Sequence, residues 1–159
     1  MGAMRLVLYM PEIAGNVGAA IRAAACFGAG VEIIEPCGFP ADARGLKRAA
    51  LDYGALAAPA LHPSWAGFVQ SEARLSGRLV LLSTRAATSI WDFSFRYGDM
   101  ALIGQESAGV PDAVSGECDA AVRIPMAPGA RSLNAATTGA IALAEMRRQV
   151  GWMEKEPGA

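Results

Sequence analysis

Short apolar runs at Arg5–Tyr9, Val31–Ile34, Leu79–Leu82, Met100–Ile103 and Ala121–Ile124 alternate with helix-like stretches along the chain. Runs this short and this apolar fit strands covered on both faces, and the intervening helices can supply the cover. The pattern predicts an α/β domain with a mainly parallel sheet flanked by helices. Helices are expected at Val17–Phe27, Gly45–Leu51, Ser64–Ala73 and Ser132–Gln149. Ala55–Leu61 offers a weaker sixth strand, which Pro59 demotes toward an edge or a loop. With 159 residues and no repeats or internal linker, the chain reads as one domain over residues 4–153, followed by a loose tail at Glu154–Ala159.

Three of these runs lead into loops that combine Gly or Pro with very few polar side chains. Leu6-Val7-Leu8-Tyr9 runs into Pro11-Glu12-Ile13-Ala14-Gly15-Asn16-Val17-Gly18 and a helix carrying Arg22. Ile103 opens Gly104-Gln105-Glu106-Ser107-Ala108-Gly109-Val110-Pro111, and Ile124-Pro125-Met126 leads on to Arg131-Ser132-Leu133-Asn134. Such loops surround a ligand with backbone amides and carbonyls, and strand-end loops of a parallel sheet gather at its carboxyl edge, so one site is expected there. Taken singly, Gly104 and Gly109 are accounted for by turn chemistry and Ser132 or Asn134 by helix capping. Their co-occurrence points to a site. The first half of the last helix, with Ala135, Ala136, Gly139, Ala140, Ala142 and Ala144, has almost no side-chain bulk and admits another backbone closely.

Several chemistries are disfavoured by counting. His62 is the single histidine and lies beside Pro63, while Cys26, Cys37 and Cys118 form no Cys-x-x-Cys pair, so neither a catalytic triad nor a metal set is expected. A phosphate-transferring or dinucleotide-binding enzyme is disfavoured because neither Gly-x-x-x-x-Gly-Lys-Ser/Thr nor Gly-x-Gly-x-x-Gly occurs in a strand-to-helix setting. The absence of a membrane-length apolar run and of a secretory leader gives a cytoplasmic expectation. A net charge of −1 argues against gripping nucleic acid by bulk electrostatics. Locally, however, Arg44, Lys47 and Arg48 cluster, and Arg22, Arg85 and Arg131 fall at or near the loops.

Asn16-x-Gly18 with Ile21-Arg22, Gly104-x-Glu106-x-x-Gly109-Val110-Pro111, and Ile124-Pro125-Met126 with Ser132-Leu133-Asn134 resemble, in order and spacing, the motifs of the SPOUT class of RNA methyltransferases. Leu46-Lys47-Arg48-Ala49-x-Leu51-Asp52-Tyr53, after Ile34-Glu35-Pro36-x-Gly38-Phe39, is similar to the small branch that methylates the ribose of the tRNA wobble nucleotide. The resemblance runs from Met4 to about Trp152; Ala14-Gly15 stands where relatives often carry Pro. It implies a deep C-terminal trefoil knot, where periodicity alone gives an ordinary doubly wound sheet.

The resemblance further implies S-adenosyl-L-methionine as methyl donor, without a metal. By family correspondence the donor contacts fall on Leu82, Gly104, Ile124 and Ser132, and Met126 and Leu133 can complete an apolar slot for adenine. Arg22, Glu106 and Asn134 are the implied catalytic residues. Asn16, Arg44, Lys47, Arg48 and Arg131 are the candidates for RNA contacts, and Tyr53 is either a stacking platform or a core residue. The implied partners are the anticodon arm of tRNA, with leucine acceptors foremost, and a second copy of the chain that completes each site. Transfer from a sulfonium requires alignment rather than a nucleophilic side chain. A guanidinium with a pKa above about 12 is a poor base, so Arg22 is better suited to binding an RNA phosphate that eases proton loss. Another tRNA or ribosomal RNA ribose, or a non-catalytic RNA-binding role, are the alternatives.

Overall fold

The computed structural model describes residues 3–57 and 59–152, with residues 43, 47, 49, 51 and 54 described by their backbone alone. The chain begins with β1 (Arg5–Tyr9), α1 (Ala14–Cys26) and β2 (Gly30–Ile34), then α2 (Ala43–Ala50), a 3-10 turn at Leu51–Tyr53 and α3 (Gly54–Ala57). It continues through β3 (Ala60–His62), α4 (Trp65–Val69), α5 (Glu72–Leu75), β4 (Leu79–Leu82) and β5 (Thr88–Ser89). It closes with β6 (Met100–Ile103), α6 (Asp112–Gly116), β7 (Ala120–Arg123) and α7 (Ala135–Val150). The strands form a single sheet in the order β3-β2-β1-β6-β4-β7-β5, and every pairing is parallel. The sheet expected from sequence is therefore present, and all its strand ends point to one edge.

Strand alternation sorts the core into two layers. Leu6 and Leu8 of β1 pack with Val17, Ile21 and Ala24 of α1 and with Leu143 and Met146 of α7. Val7 and Tyr9 face the opposite side, against Phe68 of α4 and Val114 of α6. Both faces of the sheet are thus covered, which is why the strands read as unbroken apolar runs.

Element boundaries differ from the sequence expectation for local reasons. The helix expected at Ser64–Ala73 is two short helices, because Ser64 caps the first and Ser71 caps the second by accepting from the Arg74 N–H. The weak sixth strand is β3, which starts one residue after Pro59 and pairs only with β2 at the sheet edge; residues 55–57, the start of the same window, are helical instead. The last helix starts at Ala135, not Ser132, since Asn134 supplies the cap. Its small residues are largely used inside the chain: Ala136, Gly139 and Ala142 are buried, and a Cβ on Gly139 would lie 3.1 Å from the Leu6 side chain. From β7, far along the sheet, the chain returns to lay α7 against α1 and β6. Among the described residues no helix is long and apolar enough to cross a membrane. The tail at residues 154–159 lies outside the described residues.

Candidate active site

The loops after β1, β4, β6 and β7 converge on a cleft of about 680 Å³ at the carboxyl edge of the sheet. That volume lies within the range of small-molecule sites. The six residues expected to hold a donor, Leu82, Gly104, Ile124, Met126, Ser132 and Leu133, all line it, as do Asn16, Glu106 and Asn134. Apolar side chains from β4, β6 and the loop after β7 form one wall, and the Gly104–Gly109 loop forms another.

That second wall is shaped by glycine. Gln105 and Gly109 exchange two backbone hydrogen bonds of 2.9 Å, closing the loop on itself, and Gly109 takes a left-handed φ of 65°. A Cβ on Gly104 would sit 2.6 Å from the Gly109 carbonyl carbon. The glycine required at 104 is therefore required first by the loop's own closure.

The floor is a hydrogen-bonded chain whose polarity can be read end to end. Asn134 Oδ1 accepts from the Ala136 and Thr137 amides at the start of α7, which leaves its Nδ2 to donate to Asn16 Oδ1 at 2.9 Å. Asn16 Nδ2 then donates to Glu106 Oε1 at 3.1 Å, and Glu106 Oε2 accepts from the Glu12 N–H at 2.9 Å. Glu106 acts as an acceptor at both oxygens. Residues separated by about 90 to 118 positions in sequence are joined here. Each is presented by the first turn of a helix or by a strand-end loop.

Glu12 was not among the expected residues. Its carboxylate accepts from the Ser107 hydroxyl at 2.6 Å and the Ser107 N–H at 2.8 Å, and these bonds hold its carboxyl below the ordinary carboxylate value. Behind it, Gly38 donates its N–H to the Pro11 carbonyl at 2.9 Å. No periodicity marks such contacts; the only sequence signal is that Glu12 and Ser107 lie in two of the recurring loops.

The remaining candidates are placed elsewhere. Arg22 lies on the exposed side of α1, about 9 Å along the helix axis from Asn16 at 1.5 Å per residue, with its guanidinium 5.0 Å above the Tyr53 ring. Within one chain Glu106 and Asn134 engage Asn16 and the Glu12 backbone, not Arg22. Arg44 and Arg48 are exposed on α2, and Arg131 is exposed in the loop after β7. The side chain of Lys47 lies outside the described residues. Cys37 and Cys118 have their thiols pushed up to about 11, chiefly by burial, which leaves them protonated and unreactive at neutral pH. His62 packs on Phe68 and meets Glu32 at 2.6 Å, away from the cleft.

Residues 3–144 match the family model described as the SpoU rRNA Methylase family. The chain belongs to the SpoU rRNA methylase family. A tRNA (cytidine(34)-2'-O)-methyltransferase of Beijerinckia indica is 46% identical over 150 residues, covering 94% of each chain. A solved structure concerned with 2-OH methylation of C/U34 on tRNA superposes with a TM-score of 0.84 at 38% identity, covering 93% of this chain and 96% of that one. The SpoU methyltransferase AviRb from Streptomyces viridochromogenes, solved in complex with AdoMet, has a TM-score of 0.82 at 30% identity over 92% of this chain and 60% of that one. In this SpoU family member the motif residues that converge from three strand ends are those that the sequence resemblance singled out.

Proposed function

We propose that the protein transfers a methyl group from S-adenosyl-L-methionine to the 2'-hydroxyl of nucleotide 34 in tRNA, with cytidine or uridine at that position and leucine acceptors foremost. The observation that carries this reading is the Asn134–Asn16–Glu106 chain on the floor of a cleft of small-molecule size, in a protein similar over more than 90% of its length to proteins named for methylation of nucleotide 34 of tRNA. The apolar slot suits adenine, and the closed Gly104–Gly109 loop offers backbone groups where an adenosine or methionine moiety can lie. In the transfer the ribose oxygen forms the new C–O bond, the sulfur keeps the electron pair of the broken C–S bond, and the hydroxyl proton leaves to an acceptor. Asn16 and Glu106 orient the ribose, and alignment of this kind contributes roughly 7–11 kcal/mol to such reactions.

Arg22 acts on the RNA rather than on the donor, and it reaches a cleft only when a second copy supplies it. The exposed side of α1 carries Gly15, Ala19 and Cys26 beside Arg22, a low-relief surface on which a partner helix can rest. We therefore assign a homodimer with sites completed across the interface. Arg44, Lys47, Arg48 and Arg131 are the phosphate contacts to the anticodon arm. The return of α7 to the middle of the sheet is consistent with a trefoil knot, and the protein works in the cytoplasm without a metal.

A second reading keeps the chemistry and changes the target to a ribosomal RNA ribose, which the family description favours. Incubation with labelled donor, bulk tRNA and ribosomal RNA separates them. Label in tRNA alone supports the first reading, and label confined to ribosomal RNA overturns it.

A further inference from the structure

We propose that Glu12 is a positioning residue that sets the donor-binding loop Gly104–Gly109 through Ser107, and that Gly38 holds Glu12 in place to do so. The proposal rests on the donor reading of the cleft given above. Two strand-end loops are laced here by reciprocal carboxylates. Glu106, from the loop after β6, accepts the Glu12 backbone N–H, and Glu12, from the loop after β1, accepts both the N–H and the hydroxyl of Ser107. Both Glu12 oxygens are engaged, Oε1 by the Ser107 hydroxyl and Oε2 by its N–H, so the side chain is committed to the neighbouring loop.

The backbone under Glu12 is fixed from the other side. Gly38 donates its N–H to the Pro11 carbonyl, and a Cβ at Gly38 would lie 2.7 Å from the Glu12 carbonyl oxygen and 2.9 Å from its Cα. Contacts that close exclude every residue except glycine without a shift of the loop. The glycine of Pro36-x-Gly38-Phe39 thus backs the loop that carries Glu12, rather than presenting a surface to RNA. Ser107 and its neighbours Gly104 to Gly109 wall the cleft directly. The path from Gly38 through Glu12 to Ser107 ends at the donor site, while the Glu12 N–H that serves Glu106 belongs to the backbone and survives replacement of the side chain.

The variants Glu12→Gln, Ser107→Ala and Gly38→Ala separate these roles. Calorimetry with S-adenosyl-L-methionine and steady-state methylation of tRNA should give a several-fold weaker donor affinity and a raised donor KM for each, with the loss falling on KM rather than on kcat. Glu12→Gln combined with Ser107→Ala should lose less than the sum of the two single losses, because both break the same contact. Melting of each variant without ligand controls for folding, and Ser107→Ala, an exposed-loop change that keeps the backbone N–H, carries the test should Glu12→Gln melt early. Glu12→Gln and Ser107→Ala both showing wild-type donor affinity would overturn the proposal alone, as would a loss confined to kcat. No donor binding by the wild-type protein would overturn the donor reading and the proposal with it.

Discussion

At the scale of single residues, groups that shape the cleft are distinct from those proposed to act on the substrate. Gly104 shapes it: the Cβ of Gly104→Ala would press on Gly109 at 2.6 Å, and overpacking of this kind typically costs about 1–3 kcal/mol. The expected outcome is a lower melting midpoint together with weakened donor binding, measured by thermal denaturation and calorimetry; unchanged values for both would show that the loop closes differently. Arg22 is proposed to act on the substrate, because it lies on the exposed side of α1 and outside the donor loops. Arg22→Ala should bind donor as tightly as wild type and lose methylation by orders of magnitude, and a parallel fall in donor affinity would show that its role is wrongly assigned. Most of the residues lining the cleft were legible in the sequence because each lies just past an apolar run, where a parallel sheet must gather its loops. Glu12 was not, because its meaning depends on Ser107, 95 positions away, and a one-dimensional pattern carries no trace of that contact.

At the scale of elements, the caps decide both boundaries and chemistry. Asn134 ends the loop after β7, starts α7 and fixes the orientation of Asn16, so Asn134→Ala removes a helix cap worth about 1 kcal/mol and also frees the Asn16 amide to turn. Its effect on methylation should exceed its effect on stability, as a comparison of kcat with the unfolding midpoint would reveal. The strands of the sheet were readable from composition because burial on both faces leaves little choice of residue. The two-residue β5 was not, and neither was the interruption between α4 and α5, which depends on a single serine hydroxyl capping a new helix. Near the end of α7, Glu145 is buried and accepts from Arg148 and Gln149, and the Arg148 bonds chiefly hold its carboxyl below the ordinary value of 4.5. A carboxyl lowered by folding stabilises the protein above that ordinary value and loses the contribution as pH falls through the lower folded one. The melting midpoint should therefore be steady near neutrality and fall below about pH 4.5, with a shallower fall in Glu145→Gln; an identical acid slope in that variant would remove Glu145 from the explanation.

At the scale of the whole molecule, the exposed position of Arg22, outside the cleft of its own chain, is the ground on which we propose a homodimer with shared sites. If each site takes Arg22 from one copy and Asn16, Glu106 and Asn134 from the other, two inactive variants should rescue each other. Mixing Arg22→Ala with Asn134→Ala under subunit exchange should restore up to about a quarter of wild-type activity, since half of randomly formed dimers are mixed and one of their two sites is intact. No recovery, with exchange verified, would place the site within one chain. The near-neutral net charge of −1 leaves few phosphate contacts, so on the proposed function recognition would rest on the exposed loop of the anticodon arm, where an unpaired nucleotide is open to the cleft. The most direct measurement is to supply labelled S-adenosyl-L-methionine and tRNA from a strain lacking the modification, and to locate the product by mass spectrometry. The account predicts a single methyl on the 2'-oxygen of nucleotide 34; a methyl on a base, or on a ribose outside the anticodon loop, would contradict it.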